Sequence, residues 1–209
     1  MKIKVLSAML GLVGTNCYFV INAETKEVLI FDPGDAADKI ISIIEKEGLH
    51  PRAILLTHGH FDHIMAVDDL IKKYDIPVYA HEDETMILKD PTMNASAMIG
   101  AAVSITPTKL LKDEEELTLA GVTMRVLHTP GHTKGGVCYD LLEVGKVISG
   151  DTLFADSIGR TDLPTGDYSV LIKSILKKLF LLDDSTVVLP GHGESTTIGH
   201  EKMHNPYVN

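Results

Sequence analysis

Apolar positions along the chain recur with two periods. Short runs of β-branched, aliphatic and aromatic residues bounded by Gly, Pro, Asn or Asp predict strands over 2–9, 16–22 and 27–31. The third run ends in a turn at Asp32-Pro33-Gly34. Between Ala37 and Glu47 the period changes, with Ile40, Ile41, Ile43 and Ile44 on one helical face and Gly48 as the stop signal. A strand over 53–57, a helix over 63–73, a strand over 77–80 and a helix over 82–89 follow. Residues 90–112 carry no clear period, although 95–103 has helical character. Further on, 116–119 and 122–128 read as a hairpin about Gly121, followed by strands over 136–142 and 146–149. A helix over 168–180 sets apolar side chains at 171, 172, 175, 176, 179 and 180, the spacing of a surface helix packed on a sheet. A strand over 186–189 and a short helix over 197–203 complete the pattern. Meander-like strand runs in both halves, interleaved with amphipathic helices, predict an α+β fold with a two-sheet core and helices outside.

Composition narrows this picture little. With 209 residues and no linker or low-complexity tract, residues 1–209 are expected to form a single domain. The net charge of -10 argues against nucleic acid or an anionic membrane as partner and leaves a small-molecule substrate open. Cys17 and Cys138 each lie in an apolar, strand-like stretch, as buried reduced thiols do. Lys2, Lys4 and the apolar run after them superficially resemble an export signal. Ser7, Gly11 and Gly14 interrupt the run, however, and strand-like sequence continues through Ile21. No segment has the length of a membrane span, so a cytosolic location is expected. The pattern does not fix an oligomeric state.

The candidate chemistry is concentrated in Thr57-His-Gly-His-Phe-Asp-His63, directly after the apolar run Ala53-Ile54-Leu55-Leu56. Three histidines and an aspartate within six residues form a dense set of ligands suited to zinc, iron or manganese. Three more apolar runs lead into a ligand-type residue: Met124–Leu127 into His132, Val147–Ser149 into Asp151, and Val187–Leu189 into His192. Gly59, Gly131, Gly150, Gly191 and Gly193 flank these positions and allow tight turns. Two divalent ions use seven such ligands naturally. One would take His58, His60 and His132, the other Asp62, His63 and His192, with Asp151 between them. Ions about 3.5–4 Å apart can share a water and lower its pKa toward ~7, which supplies hydroxide at neutral pH. His50, His81, His128, His200 and His204 are read as surface, core or cap residues, with His128 close enough to His132 to support it.

The His-x-His-x-Asp-His motif, with Gly-His, Gly-Asp and Pro-Gly-His further on, resembles the metallo-β-lactamase-fold superfamily from Thr15-Asn16-Cys17-Tyr18 to Pro190-Gly191-His192-Gly193. That resemblance implies a four-layer αββα sandwich with the metal site at one edge of the two sheets, and it supports the seven ligands. Thr129–Thr133, Gly150–Phe154 and Gly159–Leu163 resemble the hydroxyacylglutathione hydrolase, or glyoxalase II, group. The implied reaction is attack of a metal-bridging hydroxide on a thioester carbonyl, with two divalent ions, zinc foremost, and with Asp62 both ligating and orienting the nucleophile.

Longer members of that group carry a C-terminal helical domain that contacts glutathione. This sequence resembles the short form, which leaves the acyl group and the thiol carrier open. Arg160 and Lys134 lie near ligand loops and are candidates for a substrate carboxylate. Persulfide dioxygenases, which use one iron, share the motif set and are the main alternative. A lactonase or other small-ester hydrolase of the same fold is the next.

Overall fold

In a computed structural model, which describes residues 2–208, two six-stranded sheets pack face to face with helices on their outer faces. The first sheet has the order β1 (Ile3–Leu10), β2 (Thr15–Asn22), β3 (Glu27–Phe31), β4 (His50–Leu55), β5 (Val78–His81) and β6 (Lys109–Leu111). In the second sheet β7 (Glu116–Leu119), β8 (Val122–His128), β9 (Val137–Leu141) and β10 (Lys146–Gly150) run in sequence order. Then β13 (Val187–Pro190) joins β10 in parallel and β14 (Thr196–Thr197) closes the edge. A small hairpin, β11 (Leu153–Phe154) and β12 (Ser157–Ile158), stands apart from both.

Period-two alternation explains why the layers form. On β2, Tyr18 and Val20 face the second sheet, where they join Phe31, Leu55, Met124, Tyr139 and Ile148 in the central core. The intervening Cys17, Phe19 and Ile21 face outward into a second apolar layer. There they meet α1 (Ala37–Glu47) through Ile40 and Ile44, and α3 (Val67–Tyr74) through Val67 and Leu70. On the far side, α5 (Tyr168–Lys177) buries Leu171 and Ile175 against Cys138, Val147 and Val188. The result is the expected αββα order. Among the described residues no helix is long and apolar enough to cross a membrane.

The structure departs from the sequence expectations in several places. Strands β3 to β6 are mutually parallel, so the first sheet is a meander only through β3. The expected strand 53–57 stops at Leu55, because Thr57 N–H turns away to donate to Asp32 Oδ1 at 2.7 Å. The expected helix 63–73 is two helices, α2 (Phe61–Ile64) and α3. In a continuous helix Ala66 N–H would bond the Asp62 carbonyl, but it donates to Pro33 O instead. Residues 82–89 divide into a 3₁₀ turn, Glu82–Glu84, and α4 (Thr85–Lys89).

Within 95–103 only Ser96–Ile99 is helical, and as 3₁₀. Asn94 and Ser96 side chains there bond the backbone of Ser96 and Val103 and compete with a helix. Helix α5 ends at Lys177, before the expected Phe180. Lys178, still in the αR region with its N–H on Ser174 O, leads into a 3₁₀ turn, Leu179–Leu181, so the expected helix tightens rather than continuing. The short strand β6, in the stretch without a period, was not expected.

Candidate metal centre

Four strands end at the site. After β4 the chain is irregular from Leu56 to His60, and this loop carries His58 and His60, while α2 supplies Asp62 and His63. The turn after β8 carries His132, the end of β10 leads to Asp151, and the end of β13 leads to His192. All seven expected ligands meet at one edge of the sandwich.

They meet as two linked clusters. His132 Nε2 lies 2.9 Å from His60 Nδ1 and 3.2 Å from His58 Nε2. Asp62 Oδ2 lies 3.0 Å from His192 Nε2 and 3.5 Å from His63 Nε2. Asp151 joins the clusters, with Oδ1 3.4 Å from His63 Nε2 and Oδ2 3.6 Å from both His132 Nε2 and His192 Nε2. Gly191 makes the junction possible, since a Cβ there would stand 2.2 Å from Asp151 Oδ1 and 2.8 Å from His63 Cε1.

The outward atoms of the histidines fix which nitrogen faces the centre. His132 Nδ1–H donates to the Arg160 carbonyl at 2.7 Å, which leaves the Nε2 lone pair inward. His63 Nδ1 lies 3.0 Å from Asp32 Oδ2 and is turned the same way. Thr57 spends its hydroxyl proton on Asp32 Oδ2 at 2.7 Å. Its oxygen therefore accepts from His58 Nδ1–H at 3.1 Å, and the His58 Nε2 lone pair also points inward. Asp32 thus orients two ligands, one directly and one through Thr57.

Inward lone pairs 3.2 Å apart repel unless a cation or a proton lies between them. Protons are disfavoured in the first cluster. Burial and the neighbouring histidines hold His58 far below the ordinary range, and burial followed by His132 takes His60 down to about 3. In the second cluster burial alone would depress His63, but Asp62, Asp151 and Asp32 together hold it well above its usual value. Burial would raise Asp62, yet His63, His192 and Thr15 keep it ionised well below the carboxylate range. Asp151 Oδ1 and His60 Nε2 are buried without a hydrogen-bond partner. The donor set fits two divalent ions: three imidazole nitrogens at one position, a carboxylate and two imidazoles at the other, and Asp151 reaching both.

Three supporting residues were not read from the sequence. Thr15 Oγ1 donates to Asp62 Oδ2 at 2.9 Å. Asp32, which the sequence pattern places only in a turn, contacts Thr57 Oγ1 and His63 Nδ1. Glu84, fully buried, accepts from Gly59 N–H at 2.8 Å, Gly135 N–H at 2.8 Å and Thr133 Oγ1 at 3.0 Å, tying the His58–His60 loop to the His132 loop. Burial lifts its carboxyl to about 7 against the pull of those three donors. Glu84 lies 25 positions from Gly59 and 51 from Gly135, so no local pattern points to it.

Arg160 lines a cavity of about 420 Å³ that opens onto His60, Asp62, His132, Asp151 and His192. Its guanidinium is exposed and makes a bidentate pair with Asp162, 2.7 Å at each contact. Lys134 does not line this cavity, and its ammonium pairs with Asp83 at 3.3 Å. Among the other histidines, His81 and His128 stack with ring centroids 3.9 Å apart, and His128 Nε2–H donates to the Lys134 carbonyl. His200 pairs with Asp156 at 2.7 Å, while His50 begins β4 and His204 ends α6 (Ile198–His204), both exposed.

Comparison with known proteins agrees with this geometry. The chain is 36% identical over 197 residues to the hydroxyacylglutathione hydrolase GloC of Haemophilus influenzae, covering 93% of this chain and 92% of that one. It superposes on the crystal structure of the BLEG-1 B3 metallo-β-lactamase with a TM-score of 0.94 and 44% identity, over 99% of this chain and 100% of that one. On the crystal structure of TTHA1623 in a di-iron-bound form the TM-score is 0.86 at 39% identity, over 97% and 99%. The family model of the metallo-β-lactamase superfamily matches residues 10–192, a span that begins at the end of β1, takes in all but the end of the second sheet and closes on His192, the last of the seven candidate ligands. Sheets, ligands and family model coincide, and the chain is a metallo-hydrolase of the metallo-β-lactamase superfamily.

Proposed function

We propose that this enzyme hydrolyses a small thioester, as its likeness to a hydroxyacylglutathione hydrolase suggests. The observation that carries the reading is the pair of ligand clusters bridged by Asp151 at the floor of an open cavity. His58, His60 and His132 would hold one divalent ion, zinc foremost, and Asp62, His63 and His192 the other, with Asp151 shared. Bound there, two such ions supply hydroxide at neutral pH and stabilise negative charge developing on a carbonyl oxygen.

The chain's own residues do the rest. Thr15 and His192 both engage Asp62 Oδ2, so Oδ1 is the oxygen we assign to accept a hydrogen bond from the attacking water and orient it. Asp62 is held ionised and so accepts that proton's hydrogen bond across the neutral range. The Arg160 carbonyl, by fixing His132, keeps a lone pair rather than an N–H aimed at the centre. The Arg160 guanidinium is placed to meet a carboxylate of the thiol carrier by exchanging Asp162 for it. Cys17 and Cys138 are buried and unpaired, which suits a reducing compartment, and we place the reaction in the cytosol. The partners in this reading are small molecules.

The bridged pair of clusters favours two ions over the single iron of a persulfide dioxygenase. The test is metal analysis of the purified protein with parallel assays of thiol release from lactoylglutathione and oxygen uptake with glutathione persulfide. Thiol release at two metal equivalents supports the reading. Oxygen uptake with one iron overturns it.

A further inference from the structure

We propose that the substrate's acyl arm is uncharged and apolar, and that it seats in a second cavity beside the metal centre. This rests on the thioester reading and adds the chemical class of the acyl group. The tip of the β1–β2 hairpin, between the paired residues Leu10 and Thr15, carries Leu12 and Val13. Leu12 is fully solvent-exposed, and Val13 is more exposed than not. Polar residues are the usual choice at such a tip, so two exposed aliphatic side chains there call for an explanation.

The cavity beneath the tip supplies it. Leu12, Val13, Phe61, Met65 and Ile99 line a space of about 210 Å³, and Phe61, Asp62 and Val13 also line the cavity over the metal ligands. A group bound in the second space therefore lies next to the reacting centre. The lining charges are Asp35 and Asp62 alone, with no Lys, Arg or His among the described residues there. A carboxylate is repelled from such a space, and an uncharged aliphatic or single-ring arm gains by leaving water. Among the described residues the one Lys or Arg lining either cavity is Arg160, and it belongs to the other one. A carrier with carboxylates finds its counter-charge on that side, which leaves the apolar cavity to the acyl group.

The test uses zinc-loaded protein and a straight-chain series of N-acetylcysteamine thioesters from acetyl to octanoyl, read by thiol release. The expected result is a kcat/KM that climbs by up to about fourfold for each methylene buried, until the cavity is full. Leu12→Asp and Ile99→Asp, both at exposed positions that tolerate a polar side chain, are expected to lower the octanoyl-to-acetyl ratio about tenfold by placing a carboxylate at the apolar wall. That ratio is independent of the fraction of active protein. Turnover without dependence on chain length, in a protein that hydrolyses every member, overturns the apolar subsite and leaves thioester hydrolysis standing. If no member is turned over, lactoylglutathione decides whether the thioester reading fails or only the uncharged carrier is rejected, and in both cases binding of the non-hydrolysable octyl thioether of N-acetylcysteamine decides the cavity. Saturable methyl NMR shifts at Leu12, Met65 and Ile99 support it, and their absence overturns it.

Discussion

Stripping the metals and lowering the pH should destabilise this protein through His60 in particular. His60 Nδ1 faces His132 Nε2 at 2.9 Å in a site where the His60 residue is only 4% exposed. Burial, and then repulsion from His132, bring its folded-state value from 6.5 to about 3, against the attraction of Asp151 and Asp62. The folded value lies below the unfolded one, so the unfolded chain takes up the proton first. Stability from this group is therefore complete above 6.5 and is lost as the pH falls toward 3. At about pH 4.5 the loss from His60 alone comes to about 3 kcal/mol, at 1.36 kcal/mol for each pH unit below the unfolded value. That is a large share of the roughly 5–15 kcal/mol that holds a domain of this kind together. Urea unfolding of chelator-treated protein, stepped from neutral pH downward, measures it against His60→Gln. Opposite contributions from His63 and His192, whose values are raised, are common to both proteins and largely cancel in the difference. The difference curve should slope across the window below 6.5, and parallel curves would refute the reasoning.

Asp32→Asn keeps the side-chain shape and an acceptor for Thr57 N–H but turns an amide N–H toward His63 Nδ1 or Thr57 Oγ1. A ligand histidine then presents the wrong tautomer, and metal affinity by chelator competition should drop about 10–100-fold. Glu84→Gln places an amide N–H against the Gly59 or Gly135 N–H, and urea unfolding should record a loss of about 1–3 kcal/mol at low pH, where the wild-type carboxyl is also neutral but can turn its single O–H to Thr133 Oγ1. Asp62→Ala removes both a ligand and the proposed orienting oxygen. Its kcat for thioester hydrolysis should fall by about 10²–10⁴-fold even at saturating zinc, and an unchanged kcat would remove Asp62 from the mechanism.

The sequence exposed the seven candidate ligands that the fold brings together and concealed what aims them, for a physical reason. His58, His60, Asp62 and His63 are dense in one heptapeptide, and His132, Asp151 and His192 each follow an apolar strand and a glycine, so the signal is local in each case. The layers were legible for the same reason: alternation on β2 and the isoleucine face of α1 are properties of a few consecutive residues. Asp32 reaches Thr57 across 25 positions, and Glu84 reaches Gly135 across 51, distances at which no periodicity carries information. The break between α2 and α3 was hidden likewise, because the bond that replaces the helical one goes to Pro33, in the turn after β3 and far from Ala66 in sequence. Lys134 was misleading for the complementary reason. It is two residues from His132, but the chain turns through Gly135 against the Glu84 turn, and its side chain points to Asp83.

The same contacts that aim the ligands also make the site costly to build without metal. Thr57 and the Arg160 carbonyl satisfy the outer nitrogens of His58 and His132, which leaves the inner nitrogens of these two ligands facing one another. Relaxing that repulsion would require breaking bonds that also hold the ends of β3, β4 and β8 in place. The sheets cannot give way, because their facing surfaces are filled by Tyr18, Phe31, Tyr139 and Ile148. The repulsion is therefore stored in the folded protein, and a bound cation releases it only in the folded state. By linkage, part of the metal-binding free energy is folding free energy, and the rigidity that positions the reaction and the affinity for its metals have one structural source.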